Sequence, residues 1–139
     1  MDGKYTFTII KPNAVSEKQE GKIIDIILKK GFEIVRLQRH TFTKAEAEAF
    51  YDVHKDKYFF NDLVTYMCSG PIYIAVLEAE DCVKKYRKVI GKTDPREAAM
   101  GTIRKLYGKT LRQNAVHGSD SDASAIKEIK LFFPEILNN

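Results

Sequence analysis

Two short apolar segments, "YTFTII" (5–10) and "IYIAVLEA" (72–79), constrain the fold of this chain more than any other feature. Both are rich in β-branched and aromatic residues. Lys11-Pro12 bounds the first and Ser69-Gly70-Pro71 precedes the second, the punctuation expected of strands. Neither can leave an apolar face in water, so the sheet they form must be covered.

The intervening sequence supplies that cover. Apolar residues at 23, 24, 27 and 28 make a helical stripe in 21–31, with Gly31 as the residue just past its end. Residues 32–42 are β-branched and partly alternating, and Thr43 with Glu46 forms a capping box for a helix through Tyr51. Phe60, Leu63, Val64 and Met67 repeat at helical spacing; Asp81 is placed to cap a helix whose inner face is Val83, Tyr86, Val89 and Ile90. A Gly, Thr, Asp and Pro-containing loop (91–101) leads to a short helix, "AVH" (115–117) reads as a short strand, and 121–133 as a last helix with apolar positions 125, 126, 129, 132 and 133. Four strands among helices are too few for a doubly wound sheet. The pattern predicts one α+β domain over 1–139, a ferredoxin-like βαββαβ sandwich with a four-stranded antiparallel sheet. Helices cover one face, and extra helices or a second subunit cover the other.

At 139 residues the chain suits one compact domain. A net charge of +4, from 23 Lys and Arg against 19 Asp and Glu, favours anionic partners without choosing between nucleotide and nucleic acid. The charges are interspersed, and no basic block interleaved with aromatics marks a nucleic-acid face. Cys68 and Cys82 lack metal-ligand or CxxC spacing, and no charged-then-apolar leader precedes Lys4, so a reducing cytoplasm is expected. No apolar run reaches the roughly 20 residues that cross a bilayer.

"GKT" occurs at 91–93 and 108–110, but Tyr86 and Ile103 stand where a P-loop needs its first glycine, and no GxGxxG is present. Nucleotide binding would need another route. "NAVHGSD" (114–120) offers one: His117 ends a short apolar strand, and Gly118-Ser119-Asp120 turns toward a helix. A neutral imidazole has a lone pair that can attack phosphorus, though the same placement suits a hydrogen-bonded structural histidine. His40, in a strand, and His54, in a polar loop, read as structural or solvated.

The chain resembles the nucleoside diphosphate kinases from Lys4 to about Phe133, through "IIKPNAV" (9–15), "FYDVHKDKYFFNDLV" (50–64), "SGP" (69–71), "TDP" (93–95), "GTIR" (101–104) and above all "NAVHGSDS" (114–121). That resemblance implies a ping-pong transfer in which His117 takes the γ-phosphate of a nucleoside triphosphate, mainly ATP, through Nδ1 and passes it to a nucleoside diphosphate. It assigns Lys11, Arg87, Thr93 and Arg104 to the phosphate oxygens, and Asn114 with Lys11 to the ribose hydroxyl. Phe59 would stack on the base with Leu111 closing the other side. Tyr51 would lie beside the histidine, with Glu128 and Ser119 orienting its ring. Magnesium (Mg2+) would be held by the nucleotide phosphates rather than by protein side chains.

Phosphoryl transfer needs an in-line nucleophile and dense positive charge, which suits these residue types; a planar guanidinium fork explains why two of the cations are arginines. Base stacking tolerates any base, so purine and pyrimidine nucleotides should both serve. Rate should fall below about pH 6 as an imidazole nucleophile protonates. From the residues alone, Arg87 also reads as a solvated helix residue, Thr93 as a loop cap and Phe59 as core.

The chain departs from the family pattern at Asn13, where Asp is usual, at Lys57-Tyr58 in place of Arg-Pro, and over "RKLYGKTLRQ" (104–113). None of these removes a residue assigned to chemistry. The resemblance further implies a homo-oligomer, hexamer or tetramer, with no membrane and no nucleic acid as main partner. A nucleotide- or nucleic-acid-binding regulatory oligomer of the same fold is the alternative.

Overall fold

The computed structural model describes residues 3–138. The elements run β1 (Tyr5–Ile10), α1 (Pro12–Ser16), α2 (Glu20–Lys29), β2 (Glu33–His40), α3 (Lys44–Phe50), α4 (Phe60–Met67), β3 (Ile72–Glu78), α5 (Cys82–Ile90), α6 (Ile103–Tyr107), β4 (Val116–Gly118) and α7 (Asp122–Phe132), with 3-10 turns at Asp52–His54 and Pro134–Asn138. The sheet order is β2-β3-β1-β4 and every pairing is antiparallel, the ferredoxin-like α+β arrangement expected. No helix of the described residues is long and apolar enough to cross a membrane.

Alternation along the two central strands decides the layering. Phe7 and Ile9 of β1, with Ile72, Ile74 and Val76 of β3, point to one face and pack under α3, α4 and α7. Ile10 of β1, with Ala75 and Leu77 of β3, points to the other and packs under α2, α5 and α6. Each fully buried Ile or Phe contributes about 1.5–3 kcal/mol. The two central strands are thus covered on both faces by this chain's own helices, the first of the two covers expected, whereas edge strand β2 has no buried residue and leaves Leu37 exposed.

Thr43 and Glu46 form the capping box as predicted, and α3 ends one residue early, at Phe50. Gly31 follows α2 at φ +92°, a left-handed turn that favours glycine. Lys11-Pro12 bounds β1 as expected, and Pro12 also opens the unanticipated α1, since a proline costs nothing at the first position of a helix. Three local expectations are corrected. Strand β2 stops at His40, and Phe42 leaves the sheet to join the core. Asp81 precedes α5 in a left-handed conformation (φ 51°, ψ 47°), and its side chain caps nothing. The last strand runs 116–118, with Gly118 inside it.

Gly118 therefore serves packing rather than a turn. A Cβ there would meet Ile90 Cδ1 and Tyr86 Cδ2 at 3.0 Å. The bare backbone lets α5 lie directly against β4.

Candidate active site

β4 projects His117 onto the α3–α7 face, where the edge of the ring meets Phe50 at 5.1 Å between centroids. One carboxylate oxygen anchors it: Oε1 of Glu128, on α7, lies 2.9 Å from His117 Nε2 and accepts the Ser119 hydroxyl at 2.7 Å. A carboxylate can only accept, so Nε2 carries the proton and the lone pair resides on Nδ1. Nδ1 has no hydrogen-bond partner among the described residues. The backbone of His117 is held too. The Thr8 hydroxyl donates to its carbonyl at 2.8 Å and in turn accepts from the buried Tyr86 hydroxyl at 2.7 Å.

Ahead of the strand, Ala115 adopts φ +78°, a conformation that costs a non-glycine residue about 1–3 kcal/mol. Two hydrogen bonds hold it: Lys11 N–H donates to its carbonyl at 2.8 Å, and its own N–H donates to Asn13 Oδ1 at 3.3 Å. Asn13 also accepts from the Tyr66 hydroxyl at 2.8 Å and donates through Nδ2 to the Tyr107 carbonyl at 3.3 Å. One buried amide thereby ties α1, α4 and α6 to the entry of β4.

In front of His117 lies a cavity of about 570 Å³, within the size range of small-molecule sites. It is lined by Lys11, Tyr51, Phe59, Thr93, Arg104, Leu111, Asn114 and His117, which the fold gathers from six separate stretches of chain. Ser119 and Glu128 stand behind the ring rather than in the cavity. Arg87 does not line it; exposed on α5, it is near enough for its charge to act on Arg104 and Asp120. Phe59 is half-buried on the cavity wall and also packs against the core, so its two readings are compatible.

The wall is electropositive and partly unsatisfied. Burial, then the charges of Arg104 and Arg112, lower the Lys11 ammonium to about 7. Arg104 is lowered to about 10, first by burial; it donates to the carbonyls of Gly91 and Val116 at 3.0 Å each. Its Nε is buried without a hydrogen-bond partner among the described residues, as are Asn114 Oδ1 and the Tyr51 hydroxyl. Asn114 Nδ2 donates to the Thr93 carbonyl at 3.0 Å. Burial and the nearby Glu128 charge push the Tyr51 phenol far above its ordinary value, so it remains an O–H donor. Such a lining is electrostatically complementary to a compact polyanion.

Among the described residues no three His, Cys, Asp or Glu side chains group to hold a metal ion. The cavity's polar lining is mainly ammonium, guanidinium, amide and hydroxyl, a set that suits phosphate oxygens better than a divalent cation.

His54, Tyr58, Thr110 and Arg112 also line the cavity, and the residue patterns did not single them out for it. For Arg112 a signal existed: a cation immediately after Leu111, inside the stretch that departs from the family pattern.

A family model described as "Nucleoside diphosphate kinase" matches residues 4–136. The chain is 51% identical over 130 residues to a nucleoside diphosphate kinase of Hyphomonas neptunium, covering 94% of this chain and 93% of that one. Its fold superposes on the crystal structure of the Aquifex aeolicus nucleoside diphosphate kinase with a TM-score of 0.92, at 43% identity and 94% coverage of each chain. A halophilic nucleoside diphosphate kinase from Halobacterium salinarum, solved in complex with CDP, gives a TM-score of 0.91 at 36% identity, covering 96% of this chain and 88% of that one.

Proposed function

This chain belongs to the nucleoside diphosphate kinase family and is a phosphotransferase moving the γ-phosphate of a nucleoside triphosphate onto a nucleoside diphosphate; on that premise, we propose that His117 carries the phosphate between the two nucleotides. The observation supporting this most strongly is the Glu128–His117 contact, which protonates Nε2 and leaves the Nδ1 lone pair free beside a cationic cavity.

In the first half-reaction the Nδ1 lone pair forms a bond to the γ-phosphorus. The bond from that phosphorus to the β–γ bridging oxygen breaks, and the diphosphate leaves with the electron pair. The ring becomes cationic, and Glu128, already bound to Nε2–H, offsets that charge without taking the proton. In the second half, a terminal β-phosphate oxygen of the acceptor attacks the phosphorus and the N–P bond returns its electrons to Nδ1.

Lys11, Arg104, Thr93 and the more distant Arg87 bind the phosphate oxygens, and the Tyr51 hydroxyl donates beside the histidine. Asn114 and Lys11 take the ribose hydroxyl, while Phe59 and Leu111 hold the base by contacts any base accepts. ATP is the main donor expected. Magnesium, when bound with the nucleotide, would neutralise part of the phosphate charge, and the nucleotide phosphates rather than protein side chains would hold it. Assembly as a hexamer or tetramer is supported by family likeness, and a cytoplasmic setting by the two cysteines, which are free and lack disulfide-framework spacing; a monomeric mass at micromolar concentration would refute the first.

The test is incubation with γ-labelled ATP and magnesium without acceptor, comparing wild type with His117→Ala. An acid-labile, alkali-stable label on wild type alone, discharged by GDP, is expected. No label on a folded, nucleotide-binding wild type would overturn the assignment.

A further inference from the structure

We propose that Arg112 is the second jaw of a clamp on the nucleotide base, its guanidinium closing over the base face that Phe59 leaves open. The proposal rests on the reading of Phe59 as the base platform.

Arg112 lies at the tip of a turn closed by Lys109 N–H to the Gln113 carbonyl at 2.7 Å and Gln113 N–H to Thr110 Oγ1 at 3.0 Å. From there the guanidinium carbon sits 5.7 Å from the centroid of the Phe59 ring, and Arg112 lines the cavity. A base held between two flat groups needs about 7 Å, twice the ~3.5 Å contact distance of carbon atoms. The observed gap is therefore about one ångström short, which a small outward swing of the side chain supplies. Little restrains that swing. The guanidinium reaches Asp62 Oδ2 at only 3.8 Å, and that carboxylate is 81% exposed, so the pair is weak.

A guanidinium suits this role. It is planar, weakly hydrated and stacks on aromatic faces, including bases. Before nucleotide arrives, it covers the ring of Phe59; afterwards it covers the base. Leu111, 58% exposed beside it, supplies the apolar part of the same jaw. The charge of Arg112 also reaches Lys11, so a direct role on the phosphates is the rival reading.

The experiment measures dissociation constants by calorimetry for ADP, CDP and the base-free tripolyphosphate, on the full chain as wild type, Arg112→Ala, Arg112→Lys and Phe59→Ala. Arg112 stands at a loop tip, and thermal melting of each variant checks that it folds. Arg112→Ala is expected to weaken ADP and CDP about fivefold or more and tripolyphosphate less than about twofold, as loss of a stacking partner does. Arg112→Lys, which keeps the charge without the flat face, should recover only part of the loss. Equal weakening of tripolyphosphate, or full rescue by lysine, would make Arg112 a phosphate contact and overturn the clamp. ADP binding that is unchanged or tighter in Arg112→Ala would make it a mere cover and overturn it as well. If Phe59→Ala leaves ADP binding unchanged, the platform reading fails and the clamp with it. If Phe59→Ala weakens ADP but Arg112→Ala does not, the clamp alone fails.

Discussion

Nε2 of His117 lies 2.9 Å from Oε1 of Glu128, and the same oxygen accepts the Ser119 hydroxyl at 2.7 Å. The carboxylate thus sets the tautomer and offsets the positive charge that develops as Nδ1 bonds to phosphorus. Glu128→Gln keeps the shape and an acceptor for Ser119 but removes the charge. It should lower kcat about 10- to 100-fold while KM for the nucleoside diphosphate changes little. A raised KM at unchanged kcat would place Glu128 in binding instead.

Lys11 is lowered to about 7 in the folded protein from an ordinary 10.5. Between those values the unfolded chain binds more protons than the folded one, so stability rises with pH across that window and the penalty is complete below about 7. Lys11→Met should therefore stabilise the nucleotide-free protein at pH 6.5 by roughly 2–4 kcal/mol, an advantage that disappears above pH 10.5. Denaturant titrations at the two pH values measure it. Activity should be largely lost in the same variant.

The Tyr51 hydroxyl is buried and has no hydrogen-bond partner among the described residues. Tyr51→Phe removes that unsatisfied group and should raise stability by up to about 1 kcal/mol while lowering kcat about tenfold. A variant that loses stability and keeps full activity would show the hydroxyl to be structural.

Asn13 donates to the Tyr107 carbonyl and accepts from Tyr66 and from the Ala115 backbone. An ionised Asp accepts but cannot donate, and it sets a charge against the carbonyl. Asn13→Asp should cost about 1–3 kcal/mol at pH 8. The deficit should shrink at pH 5, where a carboxyl raised by burial begins to protonate and donate. Equal melting deficits at both pH values would contradict this account.

A Cβ on Gly118 would press on Ile90 and Tyr86 at 3.0 Å each. Gly118→Ala should lower the melting temperature by the equivalent of about 1–3 kcal/mol. Because Tyr86 also anchors Thr8 and the His117 carbonyl, phosphorylation should slow too. An unchanged melting temperature would mean that α5 can yield.

The β-branched, aromatic runs of β1 and β3 with their bounding prolines, the helical stripes, the Thr43–Glu46 box and the turn at Gly31 were legible because each rests on residues close together in the chain. So was the candidate nucleophile, since "NAVHGSDS" is contiguous. Pro12 ended the first strand as expected, but a proline that ends a strand can also begin a helix, and α1 went unread; Asp81 misled because an acidic residue caps only if its backbone leaves the side chain within reach.

The sequence by itself determined the layered α+β architecture and the chemistry on offer, because periodicity, propensity and residue type are local properties of a chain. Only the tertiary structure decided which imidazole nitrogen is free, that Lys11 sits near neutrality, that Asn13 serves three elements, and that Arg112 covers Phe59. Each of these depends on burial or on contact between residues distant in sequence, and neither desolvation nor a charge across a cavity exists until the chain has closed around it.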